Sequence, residues 1–195
     1  MNLQGIRFGF ALTGSHCTVD SALFQIKELV AAGAKVLPIV SQSVQGENTR
    51  FGRASEVLER LERITGHYPI SSIVEAEKIG PGKLFDLLIV APCTGNTLAK
   101  LANGITDTAV LMAVKAHLRN GLPVLLAIAT NDGLGINAKN IGILLNARSI
   151  FMVPFGQDNP VEKPNSLVAR MELIIPAALE ALQGKQLQPI LMPCA

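Results

Sequence analysis

The chain has 195 residues, 49% of them hydrophobic, which is enough for one domain with a large buried core. Its formal net charge of +2 and charged fraction of 16% exclude the basic surface of a nucleic-acid-binding protein, and no apolar run is long enough to span a membrane. The N-terminus lacks the charged start and apolar core of a signal peptide, so we expect a cytoplasmic protein.

The first strand is predicted at residues 6–12, and the turn Gly14-Ser15-His16 follows it. Glycine lets a ligand approach the backbone closely, and serine and histidine can donate hydrogen bonds. Because the turn precedes a helix predicted at residues 19–32, whose N-terminus favours anions, it indicates a phosphate-binding turn. The GxGxxG pattern of a strict dinucleotide site is absent from the sequence.

A second strand is predicted at residues 36–40, and two serines, Ser41 and Ser43, stand at its carboxyl end. Their hydroxyl groups are candidates for binding an anion, although an ordinary polar loop explains either serine equally well. Arg50 is the charged group of the next loop, which precedes a helix predicted at residues 54–65. Its guanidinium group suits a carboxylate, so Arg50 is a candidate for substrate binding, with a solvated loop arginine as the alternative.

The most informative stretch lies in the middle of the chain, at residues 86–107. The apolar run 87–91 is typical of a central parallel strand covered on both faces, and we expect Pro92 to end it because proline cannot donate to the sheet ladder. A polar turn and a helix follow, so free N–H groups and side-chain donors are predicted at the carboxyl edge of the sheet. Helix capping by Thr94 and Asn96 is the alternative interpretation.

The rest of the chain contains two more predicted strands, at residues 124–129 and 150–153, with a helix at 134–147 between them. The loop 154–165 holds three prolines and is a candidate lid. We predict a final helix at residues 166–182. We expect a tail from residue 184 that is mobile or packs on another subunit.

Three cysteines, Cys17, Cys93 and Cys194, are an odd number without the spacing of metal ligands, so we predict no metal site. Cys93 lies inside the central polar turn. Since no histidine or asparagine can be assigned to it from the sequence, we expect Cys93 to be a packing residue and not a nucleophile.

Strands alternate with helices along the whole chain, which predicts an α/β fold: a single domain, residues 1–195, with an open parallel sheet and helices on both faces. The carboxyl ends of parallel strands meet at one edge of a sheet. The polar groups after Leu12, Val40 and Ala91 are therefore expected to lie together, where ligands bind in open α/β sheets.

The pattern APxxxNTxAKxAxGxxD, from Ala91 to Asp107, resembles the signature of the flavoprotein family of homo-oligomeric flavin-containing cysteine decarboxylases. The resemblance implies a Rossmann-like flavoprotein fold, bound FMN and assemblies built from trimers. It also implies that FMN is held by a set of turn residues at the strand ends. These residues are Gly14, Ser15, His16, Ser41, Ser43, Pro92, Thr94, Gly95, Asn96, Thr97 and Thr130.

Thr130 and Asn131 match in position the family's PxMN turn, and Asn131 fits the asparagine that faces the substrate. Ile128 and Thr130 replace the usual proline and methionine, which argues against decarboxylation. Longer motifs, including VPFGQDNPVEKPN at 153–165, resemble an oxidoreductase subunit of this family. That resemblance implies a partner protein carrying NADP and a small dicarboxylate substrate, with Arg50 or Lys163 pairing with a carboxylate. A flavin-dependent decarboxylase and a scaffold without cofactor are the alternatives.

Overall fold

One seven-stranded sheet runs through the protein in a computed structural model that describes residues 2–193. The strands are β1 Arg7–Leu12, β2 Lys35–Val40, β3 Leu87–Thr94, β4 Val124–Thr130, β5 Ile150–Met152, β6 Phe155–Gln157 and β7 Leu167–Ala169. Their order is β2-β1-β3-β4-β7-β6, and β5 pairs with the first half of β4. The pairs among β1 to β5 are parallel, whereas β7 is antiparallel to β4 and β6. The predicted parallel sheet is therefore confirmed for its centre, and an antiparallel hairpin extends one edge.

Helices flank the sheet because each parallel pair needs a crossover connection. They are α1 Val19–Ala31, α2 Gln42–Gly46, α3 Ala54–Thr65, α4 Ile73–Glu77, α5 Ile79–Gly82, α6 Gly95–Ala102, α7 Ala109–Leu118, α8 Ala138–Leu145 and α9 Ile174–Leu182. The chain moves from β1 outward to β2 in one direction, and from β3 to β4 in the other. Right-handed crossovers then place α1 and α7 on opposite faces, and the direction of winding reverses between β1 and β3.

Strand β3 and helix α3 agree with the sequence-based predictions in burial and in bounds, respectively. Leu88, Ile89 and Val90 of β3 are completely buried, as expected for a strand with helices on both faces. Helix α3 has the predicted bounds, and it ends at Gly66, whose φ of 74° is a left-handed conformation that glycine adopts at low cost.

The prediction that Pro92 ends its strand is wrong, because β3 continues to Thr94. The pairing of β3 with β1 stops at Val90, and the pairing with β4 shifts register between Val90 and Cys93. Pro92 lies inside this irregularity, where a missing N–H group interrupts no regular ladder.

The predicted helix at 166–182 is also wrong in its first part. Residues Leu167–Ala169 form β7, a one-turn 3-10 helix covers Met171–Leu173, and α9 begins at Ile174. The loop 154–165 likewise contains β6. Short apolar runs fit a strand or a helix equally well, and here pairing with β4, at Ala129 with Val168, selects the strand.

The helix expected from residue 134 begins later, at Ala138. The tail from residue 184, expected to be mobile or to pack on another subunit, also contacts its own chain. The Phe155 amide donates to the Ile190 carbonyl at 3.0 Å, and the Gln186 amide nitrogen donates to the Met152 carbonyl at 2.7 Å.

Candidate functional site

The turns after β1 and β3 meet at the carboxyl edge of the sheet, where the direction of winding reverses. Thr13, which is 1% exposed, joins them. Its hydroxyl donates to the Pro92 carbonyl at 2.7 Å and accepts from the Thr94 amide at 3.0 Å. The two turns are thus held in a set relation by one buried threonine, which the sequence pattern did not single out as a site residue.

A cavity of about 210 Å³, here called the hydroxyl cavity, opens beside this junction. It brings together six of the residues predicted to bind the cofactor: Gly14, Ser41, Ser43, Thr94, Asn96 and Thr97. Its remaining lining residues are Thr13, Gln42, Glu47, Lys100, Thr108 and Leu111. The expected convergence of three strand ends therefore occurs.

The hydroxyl cavity offers hydrogen-bond donors and a helix N-terminus, not excess positive charge. Helix α6 begins at Gly95, and Thr94 caps it by accepting from the Thr97 amide at 3.4 Å. Thr94 therefore caps the helix and also lines the cavity, so the capping interpretation is confirmed and its role with a cofactor stays a prediction. The charged groups in the lining are Glu47 and Lys100, and Lys100 is paired with Asp107 at 2.7 Å. An anion here would be recognised by hydroxyl groups and by the N-terminal end of α6.

A second cavity, of about 280 Å³, shares Gly14 and Thr94 with the first and adjoins it. We call it the asparagine cavity, because Asn131 lines it. It contains four further predicted residues, Ser15, Gly95, Thr130 and Asn131, and seven that were not in the predicted cofactor set: Cys17, Thr18, Ala129, Asp158, Lys163, Ser166 and Val168. An elongated ligand with an anionic end has room to extend across both cavities.

Two glycines allow the backbone to come this close. A Cβ atom on Gly14 would collide with the Ser43 hydroxyl, and one on Gly95 would collide with the Thr130 hydroxyl and lie 2.7 Å from the Asn137 amide nitrogen. No Cβ atom fits at these positions without movement of the neighbouring side chains. The glycines of the two turns are therefore required by the geometry of the site.

A polar network supports the asparagine cavity. The Asp132 carboxylate accepts from the Thr130 hydroxyl and, at 2.9 Å, from the Asn137 amide, and Asn137 in turn accepts from Asn140 at 2.8 Å. These hydrogen bonds lower the pKa of Asp132 below its usual range, and the bond from Thr130 has a larger effect than the bond from Asn137. Asp132 and Asn137 were not predicted as site residues, because their partners are recognisable only after folding.

The structure places three predicted residues elsewhere. Pro92 is buried and contributes its carbonyl to Thr13. His16 lines a narrow cleft of about 20 Å³ beside α1 and α3. Among the residues described, Arg50 lines neither cavity, and its guanidinium carbon lies 4.8 Å from the centre of the Phe51 ring. Its role with a substrate carboxylate stays a prediction.

The cysteines fit the expectation in part. Cys93 is fully buried, and burial raises the pKa of its thiol to about 12, so its packing role is confirmed. Cys17 is exposed and lines the asparagine cavity. Cys194 lies outside the described residues. Among the helices within residues 2–193, none has the length and apolar character that crossing a membrane requires.

Comparison with known proteins agrees with this architecture. Residues 1–175 match the family Flavoprotein. The dipicolinate synthase B subunit of Bacillus subtilis (strain 168) is 50% identical over 191 residues, covering 98% of this chain and 96% of that one. The crystal structure of the dipicolinate synthase B subunit from Bacillus halodurans superposes with a TM-score of 0.92 at 48% identity and full coverage of both chains.

A more distantly similar protein has the same fold. The FMN-dependent cysteine decarboxylase SpaF is 18% identical, has a TM-score of 0.67, and covers 93% of this chain and 98% of its own. At that identity the likeness concerns the fold alone. With the family match over residues 1–175 and a 50% identical relative of nearly equal length, this chain belongs to the Flavoprotein family.

Proposed function

We propose that this chain is the flavin-binding B subunit of a dipicolinate synthase, and that it acts with an A subunit to oxidise a dihydro- or hydroxy-tetrahydro-dipicolinate to dipicolinate. The observation that carries the proposal is the pair of adjoining cavities. One is lined by hydroxyl groups and a helix N-terminus, and the other by Asn131, Thr130 and Lys163. The 50% identity to a dipicolinate synthase B subunit supports it.

The polar groups that line this site suit FMN chemically. Hydroxyl donors for its phosphate come from Ser41, Ser43 and Thr97. Gly14 and Gly95 have no side chain and therefore leave room for its ribityl chain. Thr94, Asn96 and Asn131 would hold the ring and set its hydrogen bonding, which tunes a flavin's electronics.

The chemistry requires removal of two electrons. Aromatising a dihydropyridine dicarboxylate releases one hydride equivalent and one proton, and a hydroxy-tetrahydropyridine dicarboxylate loses one water as well. A bound flavin would supply the hydride acceptor. The protein's own residues bind and orient the dicarboxylate in the asparagine cavity. Asn131 lines this cavity, and Asp132 fixes Thr130 beside it. NADP on the A subunit is the alternative hydride acceptor.

Assembly with other chains is part of the proposal. Apolar side chains stand exposed on and before α8, with Ile136 at 73%, Ile143 at 49% and Leu134 at 51%. Such a patch is typical of a surface covered by another chain. We propose a homo-oligomer built from trimers that binds the A subunit, in the cytoplasm of the mother cell of a spore-forming bacterium.

The first test is an absorbance spectrum of the full chain after FMN is added and the excess is removed, together with Asn96→Ala. We expect retained flavin in the unmodified protein and an FMN affinity about 10-fold weaker in Asn96→Ala, since one hydrogen bond to an anionic or strongly polar group is lost. Asn146→Ala is the matched control, because Asn146 is exposed at the end of α8 and lines neither cavity.

Each outcome has a clear meaning. Flavin in the unmodified protein and in Asn146→Ala, but weakly held in Asn96→Ala, supports the hydroxyl cavity as the cofactor site. No flavin in any of the three proteins would favour the scaffold role and move the search for the redox chemistry to the A subunit. Release of CO2 from a cysteine-derived thiol substrate would favour a decarboxylase.

A further inference from the structure

The turn of the β6–β7 hairpin, residues 158–166, forms one wall of the asparagine cavity. It is tethered on both sides. The Gln157 side chain donates to the Pro164 carbonyl at 2.9 Å, and the Leu134 amide donates to the Asn165 carbonyl at 3.0 Å. This turn is therefore held against the site in a defined position, as a ligand-binding wall requires.

Ser166 is a buried residue in the lining of this cavity. The residue is 1% exposed, and its hydroxyl oxygen has no hydrogen-bond partner within residues 2–193. A buried hydroxyl without a partner costs free energy, so such groups normally have one. The Ser166 amide donates to the Lys163 carbonyl at 3.0 Å, so these two cavity-lining side chains leave the same tight turn.

Lys163 lines the same cavity and forms an ion pair with Asp158 at 3.2 Å. Both side chains are about half exposed, at 54% and 42%, and an exposed ion pair is weak. Asp158 and Lys163 are the charged groups in the lining of this cavity. An incoming carboxylate can therefore replace Asp158 on the ammonium group at little cost.

We propose that Lys163 and Ser166 bind one carboxylate of the dicarboxylate, and that Asp158 competes with this carboxylate for Lys163. The inference rests on the proposed function and specifies which residues recognise the substrate. The Lys163 ammonium and the Ser166 hydroxyl both donate to the ligand carboxylate. That contact gives the buried hydroxyl the partner it lacks among the protein groups of residues 2–193.

The test is a calorimetric titration of the full chain with pyridine-2,6-dicarboxylate, with the FMN dissociation constant measured for every variant. Lys163→Gln is expected to weaken binding of the dicarboxylate by about 10-fold to 100-fold, because a charge-assisted hydrogen bond is lost. Ser166→Ala is expected to weaken it by about 3-fold to 10-fold. Asp158→Asn is expected to tighten it, on the order of 3-fold, because the competing charge is removed.

Two controls separate recognition from folding. Lys27→Gln removes the same charge from an exposed residue of α1 that lines neither cavity, and it should bind the dicarboxylate as the unmodified protein does. Ser166→Ala should keep or raise the thermal unfolding midpoint while it weakens binding, because it removes a buried hydroxyl that has no partner among residues 2–193. A merely structural serine would lower both.

Opposite effects of Lys163→Gln and Asp158→Asn support the subsite. Weakening by both, or unchanged affinity in all variants, overturns it. If the unmodified protein binds FMN but no pyridine-2,6-dicarboxylate, the subsite is refuted while the flavin role stands. If it binds neither, the proposed function is refuted as well.

Discussion

Replacing Gly95 by alanine tests whether the close approach at the start of α6 is essential. Ordinarily a helix gains stability from such a change, about 0.5–1 kcal/mol, because glycine loses more backbone entropy on folding. At Gly95 the added Cβ would collide with the Thr130 hydroxyl and lie 2.7 Å from the Asn137 amide nitrogen. Overpacking of this kind costs about 1–3 kcal/mol. We therefore expect a net loss of stability.

Gly142 supplies the matched control within the same protein. It lies inside α8, and a Cβ atom added there would meet nothing within 4 Å. Gly142→Ala should raise the free energy of unfolding by about 0.5–1 kcal/mol, and Gly95→Ala should lower it by about 1–2 kcal/mol. The two substitutions are chemically identical, so a difference in sign isolates the effect of the neighbouring side chains.

The assay is thermal unfolding of both variants, with FMN binding measured in parallel. For a chain of this length each kcal/mol shifts Tm by about 2–4 °C, so the two variants should differ by roughly 3–12 °C. Gly95→Ala should also bind FMN more weakly, since Thr130 and the Asp132 network must move. Equal stabilisation by both alanines, with FMN affinity retained, would refute the reasoning.

Two further predictions concern two buried titratable groups, His117 and Cys93. Burial lowers the pKa of His117 below its ordinary 6.5, so its contribution to stability is present above pH 6.5 and is lost as pH falls through the folded-state pKa. The free energy of unfolding should then decline below pH 6.5 by at most about 1.4 kcal/mol per pH unit. His117→Gln should remove that part of the decline, whereas the control substitution His67→Gln, at an exposed residue, should leave it in place. Burial raises the pKa of Cys93 to about 12, so a thiol-alkylating reagent at about pH 8 should label exposed Cys17 but label Cys93 only after unfolding, as mapped by mass spectrometry. Labelling of Cys93 at the rate of Cys17 in the native protein would contradict its buried, neutral state.

Much of the fold is readable from local patterns. Helix α3 has its predicted bounds because an apolar stripe and a terminal glycine are both local signals. The convergence of Gly14, Ser41 and Thr94 on one cavity follows from the sequence as well. Parallel strands bring their carboxyl ends to the same edge, so polar turns after successive strands must meet.

What the sequence could not determine depends on pairing between distant segments. Residues 167–169 form a strand and not a helix because β4 offers them a pairing edge, and Pro92 remains inside β3 because the register slips beside it. The burial of Ser166 and the network around Asp132 arise in the same way. A side chain's hydrogen-bond partners and burial are set by residues far along the chain, so only the tertiary structure decides which polar groups are left to bind a ligand.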